Sequence, residues 1–233
     1  MAVVTAHDAI HANIAHLPPG QAAGYTTGSP AIQWTPGDWK AHPGAVRICQ
    51  DSGSDHTADV LDVESGAATN GDAVAWVPKA RAAFDAVTRP GQRRCAIYTS
   101  QSNVTPLVNT LTAHGINSGV RLWVANWNLT GGQAADEVRN SSGPFPVIGV
   151  QYNSLQFYDS NVFDSGWLAD VAAKAQAPNA HKTAAGDTVA SLAASRGMDP
   201  EAWLRLQRKL GSDVHALSSG PLKAGITWHT VSQ

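Results

Sequence analysis

The sequence predicts an α/β protein: a closed or nearly closed (β/α) TIM-like barrel, short or degenerate, followed by a small separate module. Strand-like and helix-like segments alternate along residues 1–172, and many strand segments are apolar on both faces, which is typical of a parallel sheet covered by helices. About seven strand candidates fit a barrel better than an open sheet. The doubly wound alternative would need a Gly-rich phosphate loop after its first strand, and residues 24–28 do not form one.

The predicted elements follow from hydrophobic periodicity and from residues that begin or end helices. A helix over 8–17 has apolar residues at helical spacing and ends before Pro18, and Thr35 with Pro36 begins a second helix. The remaining predicted helices cover 71–87, 104–114, 132–139 and 166–176. The predicted strands cover 22–26, 45–50, 58–63, 94–99, 120–127, 147–153 and 156–158.

The composition argues against several classes of protein. Hydrophobic residues make up 43% of the 233 positions and charged residues 15%, so a sizeable core is available and disorder is not expected. The net charge is −2 and Lys and Arg are not clustered, so nucleic acid is not expected as a partner. No apolar stretch approaches the ~20 residues of a spanning helix, so membrane insertion is not expected either. Eight Trp point weakly to a carbohydrate partner, although most Trp side chains fill cores.

We expect neither a cofactor nor a metal. His7 and His11 lie one helical turn apart and His16 follows, but no carboxylate or third ligand falls in register, so a solvated or packed helix face is the better interpretation. Cys49 and Cys95 each lie in an apolar strand-like run without a CxxC motif, and they are expected to be buried free thiols.

Asp62 and Glu64 stand at the end of a predicted strand. Residues two apart on a strand share a face, so both carboxyl groups point the same way, at the end of a barrel where active sites lie. Glycoside hydrolysis needs such a pair, because one group must donate a proton while the other stays ionised, and mutual repulsion separates their pKa values. The alternative is a structural strand end whose acids cap loops or pair with Arg.

Four further runs follow this pair in order: Ile97-Tyr98-Thr99-Ser100, Leu122-Trp123-Val124-Ala125-Asn126-Trp127, Gly149-Val150-Gln151-Tyr152 and Tyr158-Asp159-Ser160-Asn161-Val162-Phe163. With the D-x-E of Asp62 and Glu64, the series resembles the family 25 glycoside hydrolases and the glycoside-hydrolase-like barrel domains related to them. The family comprises lysozymes that cleave peptidoglycan between N-acetylmuramic acid and N-acetylglucosamine. The order and spacing of the runs over residues 58–165 carry the resemblance, since each run alone is a weak signal.

The resemblance implies a hydrolase of peptidoglycan glycan strands of the N-acetylmuramidase type. It implies that Glu64 is the general acid, that Asp62 assists attack by the substrate's own acetamido group, and that Asp159 is a further carboxylate of the cleft. The residues implied for sugar binding are Tyr98, Trp123, Trp127, Gln151 and Tyr152. For Trp123 and Tyr152, packing in the core is the alternative.

The front of the chain departs from the family pattern. Family lysozymes open with a strand that bears an Asp, and residues 24–28 of the first predicted strand contain none. The distance to Asp62 is also shorter than in the lysozymes, as if one or two βα units were lost or trimmed. Asp51 or Asp55 could supply the missing carboxylate. These departures favour an alternative function, a non-catalytic wall-binding protein of a virion or tail with a degenerate barrel.

The composition changes at Ala172, where an Ala-rich segment predicts a linker over 173–181 between the barrel, over 1–172, and a module over 182–233. The module resembles a LysM domain, a small βααβ fold, because Gly186-Asp187-Thr188 precedes a helix containing Leu192-Ala193 and a second helix follows over 199–207. LysM domains bind glycans that contain N-acetylglucosamine, so the resemblance again implies peptidoglycan as the partner. A generic small α/β cap is the alternative.

The N-terminal residues 1–8 lack the basic region and apolar run of a secretory signal. Together with both resemblances, this predicts a protein of the phage endolysin type, made in the host cytoplasm. It would act at the bacterial cell wall or be carried in the virion, where virion proteins would be further partners.

Overall fold

The computed structural model describes residues 2–87, 95–169, 179–182, 188–194 and 227–230. The chain divides into two compact units, Met1–Ala175 and Gln176–Gln233. The first unit contains the predicted barrel and the second contains the predicted module.

Eight strands close the first unit into a barrel in the order β1 to β8. Strands β1 to β7 pair in parallel, whereas β8 runs antiparallel to both of its neighbours, β7 and β1. The strands are β1 Val3–Asp8, β2 Gln21–Tyr25, β3 Val46–Cys49, β4 Val60–Val63, β5 Ala96–Ser100, β6 Arg121–Ala125, β7 Val147–Ser154 and β8 Asp159–Asp164. The predicted α/β barrel is confirmed as a closed mixed barrel, but the strand predicted over 156–158 is wrong, since the strand begins at Asp159.

Helices cover the outside of the barrel. They are α1 Pro36–Ala41, α2 Asn70–Val87, α3 Val104–Ala113 and α4 Gly131–Asn140, with 3-10 helices at His11–His16 and Gln101–Asn103, and residues 165–169 are also helical. Thr35 begins α1 as predicted, in a capping box with Asp38. Thr130 begins α4 in the same way with Gln133.

The helix predicted over 8–17 begins too early and is a 3-10 helix. Residues Val3–Asp8 form β1, which pairs with β2 on one side and with β8 on the other, and a short 3-10 helix follows at His11–His16. The helical spacing of the apolar residues after Asp8 is real, but it produces only this short turn. Pairing with β8, about 150 residues later in the chain, fixes the strand, and a local pattern does not show such a pairing.

Alternation along the strands separates an inner core from an outer one. The lumen of the barrel holds Ala6, Ala23, Val46, Ile48, Val60, Ala96, Trp123 and Phe163. Gly149 makes room for this core, because a Cβ at that position would lie 2.4 Å from the Phe163 ring. Trp167 stacks on Phe163 with ring centroids 5.5 Å apart and fills the lumen at the end where β8 finishes. The opposite end, where β8 begins and the parallel strands finish, is called the mouth below.

An outer core lies between the sheet and the helices α2 and α3. Leu61, Val63 and Ile97 pack there against Trp76 and Leu107, all of them buried. Cys49 and Cys95 are also buried there and are not bridged, as the sequence predicts. Among the residues that the structure describes, none of the helices has both the length and the apolar character needed to span a bilayer.

In the second unit, strands Asn179–Lys182 and Thr227–Thr230 pair antiparallel, and a helix spans Val189–Ala194. Thr188 and Ser191 exchange hydrogen bonds at the start of this helix, which the sequence predicts after Gly186-Asp187-Thr188. The first strand begins inside the predicted linker over 173–181, so the unit starts earlier than predicted. The second predicted helix, over 199–207, lies outside the described residues.

Candidate active site

Asp62 and Glu64 lie on the inner face of β4 and at its end, as strand alternation predicts. Val60 and Asp62 face the lumen, while Leu61 and Val63 face the helices. The two acids differ in depth: Asp62 is 1% exposed, whereas Glu64 stands exposed just beyond the end of the strand. The pair therefore has one carboxyl group inside the barrel and one at its surface.

The reversed strand β8 brings a second pair of carboxyl groups to the mouth. Asp8 is the last residue of β1 and Asp159 is the first residue of β8, and the two are direct partners in the antiparallel ladder. Asp8 is 4% exposed and Asp159 is half-buried. The sequence predicts Asp159 as a site residue but misses Asp8. The signal that could have found Asp8 is the run Val3-Val4-Thr5, whose β-branched residues favour a strand.

Asp8 also corrects the prediction that the first strand lacks an acid. The predicted substitutes are Asp51 and Asp55, which accept hydrogen bonds from the hydroxyl groups of Ser54 and Thr57 in their own loop. Burial raises the pKa values of these two acids, but their hydrogen bonds outweigh it, so both pKa values are lowered. The barrel has eight strands, so no strand is missing. The short front half arises because β3 and β4 are joined by residues 50–59 without a helix.

Burial raises the pKa values of all four carboxyl groups, and repulsion from another acid adds to this effect for Asp62, Asp8 and Glu64. Burial, followed by the charges of Glu64 and Asp8, raises the pKa of Asp62 to about 8. Its Oδ1 atom is buried without a hydrogen-bond partner. Burial, followed by the charge of Asp159, raises the pKa of Asp8 to about 7. The pKa of Glu64 is raised by burial and by Asp159, and burial likewise raises the pKa of Asp159.

Hydrogen bonds connect Asp8 to two amide side chains in the lumen. Asn161 donates from Nδ2 to Asp8 Oδ1 at 2.7 Å, and Gln151 donates from Nε2 to the same oxygen at 3.3 Å. The oxygen of each amide accepts a bond in turn: Trp123 Nε1 donates to Asn161 Oδ1 at 3.0 Å, and the Tyr98 hydroxyl donates to Gln151 Oε1. The hydrogen bonds from both amides lower the pKa of Asp8 and so partly offset its burial.

Of the residues predicted to bind sugar, Trp123 and Gln151 are buried in the hydrogen-bond network of Asp8, and Tyr152 faces the helices. Trp123 is 1% exposed and packs edge-on against Tyr98 and Phe163, so no face of its ring is free. Gln151 is 2% exposed and binds Asp8 instead. Tyr152 follows the inward-facing Gln151 and therefore faces outward, where it packs in the cluster formed with α4.

Aromatic residues at the mouth fit the predicted sugar-binding role better. Trp127 lies two residues beyond the end of β6 and is 52% exposed. Tyr98 faces the lumen on β5, directly beside Asp62 in the ladder, and is half-buried. Tyr25 on β2 also faces this cluster: its pKa is raised by burial and then by the charges of Asp8 and Asp62. Tyr25 is not among the residues that the sequence motifs predict for sugar binding.

The three N-terminal histidines do not come together. His11 pairs with Asp38 at 2.7 Å, His16 stacks on Phe157, and His7 packs edge-on against Tyr158. Within the described part of the chain, no group of three or more His, Cys, Asp or Glu side chains is arranged to hold a metal ion.

The chain was compared with protein-family models, with curated proteins and with solved structures. No family model and no curated protein matches it. It is similar to the crystal structure of an uncharacterized protein from B. stearothermophilus, with 14% sequence identity and a TM-score of 0.45 over 72% of this chain and 99% of that one.

Proposed function

We propose that the barrel hydrolyses the glycan strands of peptidoglycan, as an N-acetylmuramidase of the phage endolysin type. The observation that carries the proposal is the set of four carboxyl groups at the mouth, Asp8, Asp62, Glu64 and Asp159, all with raised pKa values. Carboxyl groups kept partly protonated near neutral pH, next to others that can ionise, are what glycoside hydrolysis requires.

Glu64 is the proposed general acid. Its side chain is at the surface of the mouth, where a glycosidic oxygen can reach it, and burial followed by the charge of Asp159 raises its pKa, which is the direction that a proton donor needs. Asp62 lies deeper and its Oδ1 is buried without a donor, so an N–H group of a bound acetamido sugar would satisfy it after a rearrangement that exposes this oxygen. Once ionised, Asp8 and Asp159 would stabilise the positive charge that develops on the sugar ring.

The exposed ring of Trp127 and the half-buried ring of Tyr98 would contact the sugar rings of the bound strand.

The second unit would act as a LysM-like wall anchor that raises the concentration of the barrel near its substrate. Its antiparallel strand pair and its first helix are compatible with that proposal.

The test is the loss of turbidity of a peptidoglycan suspension with the wild type and with Glu64→Gln. We expect the wild type to clear the suspension and the variant to be at least about 100-fold slower, because the proton donor is lost. Glu137→Gln is the matched control, since Glu137 on α4 also has a pKa raised by burial but lies away from the mouth. Analysis of the released muropeptides would identify the bond that is cleaved.

The second candidate is a non-catalytic wall-binding protein of a virion or tail. The burial of Asp8 and Asp62 favours it, because neither group is accessible to a substrate without some rearrangement. A wild type that sediments with walls but clears none of them would establish this function and contradict the hydrolase.

A further inference from the structure

The Asn161 side chain occupies an unusual position between a fixed donor and a carboxyl group. Its Oδ1 accepts from Trp123 Nε1 at 3.0 Å and its Nδ2 donates to Asp8 Oδ1 at 2.7 Å. Both Asn161 and Trp123 are buried, so water does not compete for these bonds. The bond to Asp8 also crosses the seam between β8 and β1 that closes the barrel.

The chemistry of Trp123 determines which way this amide points. An indole N–H can only donate, so it must meet the amide oxygen, and the amide NH2 group is then turned toward Asp8. An NH2 group donates, and the ionised form of Asp8 is its strongest acceptor. A protonated Asp8 keeps a weaker acceptor oxygen, and its own O–H finds no acceptor in the NH2 group that faces it, so the arrangement favours the carboxylate.

The second amide lacks such a constraint. Gln151 also donates to Asp8 Oδ1, but its oxygen accepts from the Tyr98 hydroxyl, which can donate or accept. If its amide rotated, Gln151 could accept from a protonated Asp8 and donate to the Tyr98 hydroxyl, and it would give up the hydrogen bond that it makes with Asp159. Only the chain through Trp123 has a fixed direction.

We propose that Trp123 is a positioning residue that locks the Asn161 amide toward Asp8 and so holds Asp8 as a carboxylate in the proposed hydrolase site. Trp123 acts through Asn161 and does not contact the glycan. The other titratable groups that face Asp8 are Asp159 on β8, Asp62 on β4, Tyr25 on β2 and Tyr98 on β5. None of them donates a hydrogen bond to Asp8 in this structure, and the acids oppose its ionisation.

The test compares Trp123→Phe with Trp167→Phe. Both substitutions remove a buried indole from the lumen, but Trp167 Nε1 has no hydrogen-bond partner. The direct readout is the titration of the Asp8 side-chain carboxyl carbon by NMR, which needs no enzyme activity. We expect the pKa of Asp8 to rise by about one unit in Trp123→Phe, because a bond to a charged group is weakened, and to stay unchanged in Trp167→Phe.

Catalysis supplies an independent readout. At pH 7 we expect kcat of Trp123→Phe to fall about fivefold with little change in KM, because less Asp8 is ionised. The ratio of variant to wild-type kcat should return toward one as the pH rises. A purely structural loss would lower kcat by the same factor at every pH.

The possible outcomes separate the two proposals. A folded Trp123→Phe with an unchanged Asp8 titration overturns the positioning role, whether or not the wild type clears walls. A raised Asp8 pKa in a protein that clears no walls supports the positioning role and contradicts only the hydrolase. If Trp123→Phe does not fold, Asn161→Leu carries the same titration test. Failure of both to fold, while Trp167→Phe folds, would show that the network serves folding and would overturn the proposal.

Discussion

Replacing Asp62 with Asn should stabilise the barrel, increasingly so as the pH rises. Asp62 is 1% exposed, its Oδ1 has no partner, and its pKa is raised to about 8, by burial first. The folded protein therefore binds this proton more tightly than the unfolded chain, in which the pKa is near its ordinary value of 3.8. Between these two values the folded state loses stability as the pH rises, by about 1.4 kcal/mol for each pH unit.

The asparagine introduced by Asp62→Asn carries no charge to bury, so the variant lacks this loss. The free energy of unfolding of Asp62→Asn minus that of the wild type should increase by about 4 kcal/mol from pH 5 to pH 8, which is three pH units. Above pH 8 this difference should level off. The buried amide left without partners adds a cost that does not vary with pH. For a domain of this size, the difference in Tm should widen by about 8–16 °C.

Thermal unfolding followed by circular dichroism at pH 5, 6, 7, 8 and 9 measures this difference. Asp136→Asn is the control, because it removes a carboxylate that is exposed on α4 and not buried in the lumen. A constant Tm difference between Asp62→Asn and wild type across this range would refute the reasoning, since Asp62 would then not be an acid held in a buried site.

Two further predictions concern glycan binding. Trp127→Ala should raise KM for wall fragments about two- to tenfold, because an aromatic ring that contacts the sugar is lost. The Tm should not change, because Trp127 is 52% exposed. An unchanged KM would show that Trp127 does not contact the glycan. Deletion of residues 178–233 should weaken sedimentation with walls and leave the Tm of the barrel unchanged, because all eight barrel strands lie in the first unit. Unchanged sedimentation would count against the LysM-like role.

The inward face of Asp62 could be predicted because strand alternation is a local property, whereas Glu64 lies just beyond the strand and is exposed. The same rule places Tyr152 on the outside once Gln151 is known to face inward. Alternation alone does not give the depth of a residue along the barrel. Trp123 faces inward, but it lies deeper in the lumen than Asn161 and is buried there, which is the core-packing alternative. The position of a residue along the barrel axis depends on the stagger between neighbouring strands, and the sequence of a single strand does not determine that stagger.

Asp8 could not be predicted from its own segment because two patterns compete there. The apolar spacing after Asp8 favours a helix, and the β-branched residues before it favour a strand. Pairing with β8 decides between them, and that partner lies at the far end of the barrel sequence. A site residue on a closing seam is therefore harder to predict than one inside a strand such as β4, whose neighbours come next in the chain.

The reversed strand β8 links closure of the barrel to assembly of the site. In an all-parallel barrel the eighth strand would bring Asp164 to the mouth, whereas the reversal brings Asp159 and Asn161 there. The seam then juxtaposes two acids, Asp8 and Asp159, whose repulsion opposes closure. The hydrogen bond from Asn161 to Asp8 crosses the same seam and offsets part of that repulsion. A substitution that frees the Asn161 amide should therefore affect the charge of Asp8 and the closure of the barrel together, which is why titration and stability must be measured on the same variants.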